Sequence, residues 1–303
     1  MPGINILAHA ERPQETRGNS PLLSPAAWPY VSQFILGPAF AERLAGWQRI
    51  TVAEQIRLTA HPALACTQVA DHARELTLIG HILDPLTPGA ANADILRALL
   101  RHFTSREALI VATDGLGGRW LLIATNSRES FLFHDALGLR QAFHTEPAEI
   151  GALWVMSQPG LASEVLSLAP DEQALDYMDT QTFRRASEYR FPVTASTFRG
   201  IKHLVPNHWL DLKTGRSHRY WPLAPLEILT PEAAIDRLGT LMSGMIRAAA
   251  SRFELAFSLT AGLDSRLVLA AARGVADRLS IMTLRQGRMC PTITPISKFR
   301  RGC

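Results

Sequence analysis

Apolar residues fall into two rhythms along this chain, and the change comes near residue 225. Before it, short runs of β-branched and aliphatic residues dominate. Residues 75–84, ELTLIGHILD, stop at Asp84-Pro85 and predict a strand, because proline cannot donate to a ladder. Asn92 stands as a cap before ADILRALLRHF, where Ile95, Leu96, Leu99, Leu100 and Phe103 recur at helical spacing and predict an amphipathic helix. LIVATDGLGGRWLLIATNSRESFLFHDALG and ALWVMSQPG are short apolar segments parted by Asp-Gly, Asn-Ser-Arg and glycine-rich turns, so they predict a β meander. Residues 161–190, with acidic PDEQ ahead of ALDYMDTQTF, predict helix. FPVTASTFRGIKHLVPNHWLDLKTGRSHRYWPL offers extended pieces joined by Pro-Asn and Thr-Gly turns, as a linking subregion would. Residues 1–30, rich in proline and serine, predict a loosely ordered entry. The expected organisation is an α+β domain over 31–190, with antiparallel sheets and packed helices, and a linker over 191–229.

From Thr230 the period lengthens. Thr230 is a good cap and Pro231 suits the first helical position; Ile235, Leu238, Met242, Met245, Ile246 and Ala249 form one stripe. A long helix, a strand at 253–259, a helix at 265–273 closed by Gly274 and a strand at 279–284 predict the start of a parallel α/β sheet over 230–303. The turn between the first strand and its helix reads TAGLDS. Such a turn sits at the carboxyl end of a strand, where the first N–H groups of the helix face outward and attract anions. Small Thr260, Ala261 and Gly262 let the backbone approach a phosphate, and the Thr260 and Ser265 hydroxyls add donors. Asp264 would repel a bare phosphate, so it either caps the helix or meets a magnesium ion carried by a nucleotide. No GxxxxGK[ST] loop occurs, and Gly115, Gly117 and Gly118 fail the dinucleotide spacing and predict a hairpin turn.

Composition changes this picture little. The 303 residues are 47% hydrophobic and 19% charged, enough chain for two cores. The formal charge of +4 is spread along the chain rather than gathered into a basic stripe, which argues against nucleic acid as a partner. Three cysteines, Cys66, Cys290 and Cys303, do not make a disulfide framework and suggest a reducing compartment. Neither a signal-peptide pattern nor a spanning apolar run is present in the sequence, so the expected location is cytoplasmic.

SLTAGLDSRLVLAA resembles the SGGxDS pyrophosphate loop of the N-type ATP pyrophosphatases, and most closely the asparagine synthetase-like branch. Two stretches agree with it in type and order. GRWLLIATNSRESFLFHDALGLRQAFH is similar to the amidotransferase-like segment ending in D-x-x-G-x-R-P-x-Y, with Asp135, Gly138 and Arg140 on the matching positions. FRGIKHLVPNHWLDLKTGRSHRYWPL is similar to the segment that precedes the synthetase domain. The resemblance implies an Ntn-hydrolase-like first domain and ATP phosphates held by Thr260, Ala261, Gly262, Asp264 and Ser265, with Mg2+ reached through Asp264. It implies an adenine pocket beginning at Leu284, and a carboxylate substrate that is adenylated, with loss of pyrophosphate, before an amine attacks. Ala261 replaces a family glycine, which is harmless only where φ is negative.

The pattern also departs from the family. Glutamine-dependent members use an N-terminal cysteine whose own amine is the base, whereas this chain begins Met1-Pro2-Gly3, carries LIGHILD where the family has an Asn-Gly-Glu strand, and holds Cys66 internally. The ten histidines form no metal-ligand cluster, and His134 beside Asp135 reads as a hairpin-surface pair. Residues 290–303 are basic and aperiodic. Back-translated with mostly GC-rich codons chosen for the purpose and read two bases later, they can give PDHHPDIQVPAGL, a segment of the sort this branch carries after its second strand. The expectation is therefore a shifted, prematurely ended frame that leaves strand 279–284 incompletely covered and the chain prone to association. Two functions remain: an asparagine synthetase-like amide-forming enzyme, impaired in this chain and supplied with amine by another molecule, or an inert binding or assembly module with an amidotransferase-like fold.

Overall fold

Residues 5–9, 30–185, 191–222, 225–260, 262–282 and 294–295 are described in the computed structural model. In chain order the first elements are β1 (Asn5–His9), β2 (Phe34–Gly37), β3 (Gln48–Ala53), β4 (Ile56–Ala60), β5 (Cys66–Ala70), β6 (Arg74–Leu83), α1 (Asn92–His102), α2 (Arg106–Ala112), β7 (Gly117–Asn126) and β8 (Ser130–His134). They are followed by β9 (Phe143–Thr145), α3 (Pro147–Ile150), β10 (Val155–Met156), α4 (Gly160–Leu166), α5 (Glu172–Asp179), α6 (Gln181–Arg185), β11 (Ile201–His203), β12 (His208–Asp211) and β13 (Ser217–Arg219). The last group is α7 (Pro231–Arg252), β14 (Leu255–Ser258), α8 (Leu263–Ala271), β15 (Leu279–Met282) and β16 (Thr294–Pro295).

Among the described residues, one antiparallel sheet runs β1-β5-β6-β7-β8-β12-β13 and a second runs β11-β9-β10-β2-β4-β3. The pleat sorts their side chains. On β7, Leu121 and Ile123 point into a core between the sheets with Phe34, Leu36, Leu58 and Ile79, while Trp120, Leu122 and Ala124 point outward. That outer face is covered by α1 and α2 through Ile95, Leu96, Leu99, Leu100, Leu109 and Ile110. The outer face of the second sheet, Ile35, Met156 and Ile201, packs on Leu161 and Ala162 of α4. The result is four layers, helix, sheet, sheet, helix. Burial on both faces explains why LLIA and FLFH are continuous apolar runs rather than alternating ones.

Several expectations change. LIVA at the head of the expected meander is helical: Ser105 Oγ accepts the Ala108 N–H at 3.1 Å, and Leu109 and Ile110 bury against the sheet. Asn92 lies inside α1, with Ala91 at the cap position; its side chain instead donates to Gly80 O at 3.0 Å and accepts from Ile82 N at 3.2 Å. The helical stretch 161–190 is interrupted, first by Ser167 in the left-handed region (φ 57°) and again at Thr180. The stretch 191–229 does more than link: β11 pairs with β9, and β12 with β8, so both sheets are completed by it. Residues 5–9, within the expected loose entry, pair with β5 along its length.

After Thr230, whose hydroxyl accepts the Ala233 N–H at 3.3 Å, α7 runs for 22 residues. Of the expected stripe, Ile235 and Leu238 are exposed and Met242, Met245, Ile246 and Ala249 only half-buried; the buried positions are Gly244, Ala248 and Ala250, outside it. The second half docks on the first sheet. Arg252 donates to Ile82 O and Asn92 Oδ1, both at 2.6 Å, Ser251 Oγ donates to Pro88 O at 2.8 Å, and Phe253 meets His81 edge-on at 4.9 Å. β14 and β15 then pair in parallel, Leu255 opposite Leu279 through Ser258 opposite Met282, and the free edge of β15 pairs with Thr294 and Pro295. The other strand residues expected at 283 and 284, and the rest of the tail, lie outside the described residues. Among the described residues no helix is long and apolar enough to cross a membrane.

Candidate functional site

The chain leaves the carboxyl end of β14 through Leu259, whose N–H donates to Met282 O on β15 at 2.9 Å, and turns into α8. The Ser265 hydroxyl is the hub of that turn. It accepts the Thr260 N–H at 3.1 Å and lies 2.9 Å from Thr260 O, 3.1 Å from Gly262 O and 3.0 Å from Thr260 Oγ1. Thr260 Oγ1 in turn accepts the Gly262 N–H at 3.2 Å. The two hydroxyls expected to face a phosphate therefore hold the loop closed on itself, and a ligand would have to draw them outward. Gly262 occupies the cap position with φ −70°, a value open to any residue. Asp264 is exposed in the first helical turn. Ala261 and Leu284, the remaining residues of the expected nucleotide site, lie outside the described residues. Among the described residues no cluster of three acidic, histidine or cysteine side chains is poised to hold a metal.

The first domain brings together its own set of groups at the turn after β8. Asp135 is 3% exposed. Its Oδ2 accepts from Trp120 N at 3.3 Å and Arg140 N at 2.9 Å, and its Oδ1 from Leu137 N at 3.3 Å and Leu139 N at 2.9 Å. Gly138 closes the turn at φ 64°, with the site of a Cβ only 3.2 Å from the His134 ring. His134, expected on the surface, is 1% exposed, and its two ring nitrogens lie 3.0 Å from Asp135 O and Leu204 O. These residues shape a turn, and their spacing in the sequence is what a carboxylate needs to collect consecutive N–H groups.

Cys66 is buried on β5, facing the core between the sheets. Burial pushes its thiol up to about 12, with Arg140 opposing the shift. A thiol so raised holds almost no thiolate near neutrality, which is the reactive form. Iodoacetamide at pH 8, with the Cys66 peptide followed by mass spectrometry, is expected to label the native chain at least about 100-fold more slowly than the urea-unfolded chain. Comparable rates would contradict the burial.

No protein-family model matches this chain, and no curated protein sequence does. Among solved structures, a glutamine phosphoribosylpyrophosphate amidotransferase from B. subtilis complexed with ADP and GMP aligns over 90% of this chain and 65% of its own, with a TM-score of 0.36 and 11% identity. A structure titled the allosteric regulatory enzyme of purine biosynthesis aligns over 88% and 63%, with a TM-score of 0.35 and 11% identity. The chain thus spans less than two thirds of either, and superpositions this loose assign no residue a role.

Proposed function

We propose that this chain is an asparagine synthetase-like protein whose β14–α8 loop receives the phosphates of Mg-ATP, for activation of a carboxylate as its adenylate and formation of an amide. The observation that carries the reading is the loop at the carboxyl end of two parallel strands, opening onto the first turn of a helix. No acceptor among the described residues takes the N–H groups of Leu263, Asp264 and Ser265. Thr260, Ala261, Gly262 and Ser265 would surround the phosphates, Asp264 would meet the nucleotide magnesium, and Leu284 would begin the adenine pocket.

Isothermal titration with Mg-ATP is expected to show saturable binding that Asp264→Ala weakens at least about tenfold, the size of one lost charge-assisted contact. Equal binding by both chains would remove Asp264 from the site. ATP–pyrophosphate exchange over a panel of carboxylates that includes aspartate then tests adenylation itself.

The rival reading, an inert binding or assembly module with an amidotransferase-like fold, draws support from Cys66, whose buried thiol is unsuited to attack glutamine. Glutamine-dependent ammonia release by the purified chain would end it.

A further inference from the structure

Behind the Asp135 turn, Arg140 buries its side chain against Gly80; the residue is 7% exposed, and a Cβ at Gly80 would lie 3.3 Å from Nε. Its guanidinium makes one hydrogen bond among the described residues, Nη1 to Ser32 O at 3.2 Å. Nε is buried with no acceptor. Arg119, on β7, reaches the same place: its Nε donates to Leu139 O at 2.9 Å, the carbonyl immediately before Arg140.

Neither arginine has an acidic side chain within ion-pair distance among the described residues. Asp135 is near, but both its oxygens are occupied by backbone N–H groups. Cys66, the other neighbour, is a neutral thiol. Burial, and then repulsion from Arg119, push Arg140 down to about 10. Buried charges in folded proteins are ordinarily paired, since an uncompensated one is costly. Here Arg140 is the buried charge, countered only in part by Asp135, and the exposed Arg119 adds a second positive charge beside it. Arg119, but not Arg140, lines a cavity of about 840 Å3 bounded by Gly138, Phe143, Phe191 and His203, with Phe143 and His203 stacked at 4.7 Å.

We infer that this cavity is an anion site, in which a small organic carboxylate or phosphate monoester contacts Arg119 directly, is held by the charge of Arg140 behind it, and rests its apolar part on Phe143 and Phe191. The site is separate from the β14–α8 loop and does not depend on nucleotide binding there.

The test is isothermal titration of the full chain at low ionic strength with succinate, with phenyl phosphate and with uncharged succinamide. The expected result is saturable binding of at least one anion, none of succinamide, and at least about tenfold weaker binding by Arg119→Gln, an exposed position whose loss leaves the core intact. Arg119→Lys should recover part of it, and the bound anion should raise the melting temperature of the wild-type chain but not of Arg119→Gln. Which anion binds decides between carboxylate and phosphate. Ser265→Ala should leave binding unchanged, so a failed Mg-ATP titration and a failed anion titration are distinct results. The inference is overturned if neither anion binds, if succinamide binds as well as they do, if Arg119→Gln matches the wild type, or if Ser265→Ala rather than Arg119→Gln abolishes binding.

Discussion

Asp135→Ala is expected to lower the folding free energy by about 3–5 kcal/mol, one of the two largest effects anticipated for single substitutions here. The side chain is short, so little apolar area is lost; the cost lies in the donors left behind. Trp120 N and Arg140 N are buried and lose their acceptor, at about 1–3 kcal/mol each. Leu137 and Leu139 are 74% and 50% exposed, so water replaces part of what their N–H groups lose. Removing the carboxylate also takes away the nearest negative charge beside Arg140. Asp135→Asn should fall between wild type and alanine, because one oxygen still accepts while the amide NH2 faces two donors. Urea unfolding of the three chains, compared at constant slope, checks the order. A difference within about 0.5 kcal/mol between wild type and alanine would mean that the turn is held by something else.

How far the chain could be read in advance follows from what each segment buries. Strand 75–84 and helix α1 were legible because their periods match their surroundings: β6 alternates between two cores and α1 buries one stripe. LIVA at 109–112 was not, because four apolar residues are compatible with either period and the deciding group is Ser105, a cap outside the run. The pairing of β11 and β12 with strands some 60 to 80 residues earlier rests on register rather than on local pattern, so nothing in 201–211 distinguishes it from a linker.

The same division applies to the candidate sites. The TAGLDS loop was recognisable as a strand–turn–helix because its geometry is local, and the structure adds that Ser265 and Thr260 bond to one another. Arg119 and Arg140 were not singled out as a pair. They are 21 positions apart and on different sides of a turn, and only the meeting of β7 with the segment after β8 reveals two cations sharing one carbonyl neighbourhood. The signal available in the sequence was the spacing of Asp135, Gly138 and Arg140, which says nothing of Arg119. His134 shows the reverse error: a histidine beside an aspartate reads as surface, yet its two nitrogens meet backbone carbonyls in the interior.

Gly244→Ala is expected to destabilise the chain by about 1–3 kcal/mol, against the sign that helix propensity alone would give. In an exposed helix interior, alanine is preferred to glycine by about 1 kcal/mol. At Gly244 the added Cβ would stand 2.2 Å from Pro85 O and 2.8 Å from Pro85 Cβ, a contact with backbone that no rotamer relieves. The helix must then move away from the first sheet, straining the bonds from Arg252 to Ile82 O and Asn92 Oδ1 and from Ser251 to Pro88 O. Gly239, five positions earlier on α7, has nothing within 4 Å of its Cβ site and is exposed. Gly239→Ala is therefore expected to stabilise by about 0.5–1 kcal/mol, and the opposite signs of two identical substitutions on one helix isolate the docking contact from propensity. Unfolding free energies of both variants measure this directly, and two stabilised variants would show that α7 is not seated on Pro85. Because β14 begins at Leu255, three residues after α7 ends, displacement of the helix also shifts the β14–α8 loop. Should that loop bind Mg-ATP, Gly244→Ala would weaken it and Gly239→Ala would leave it unchanged.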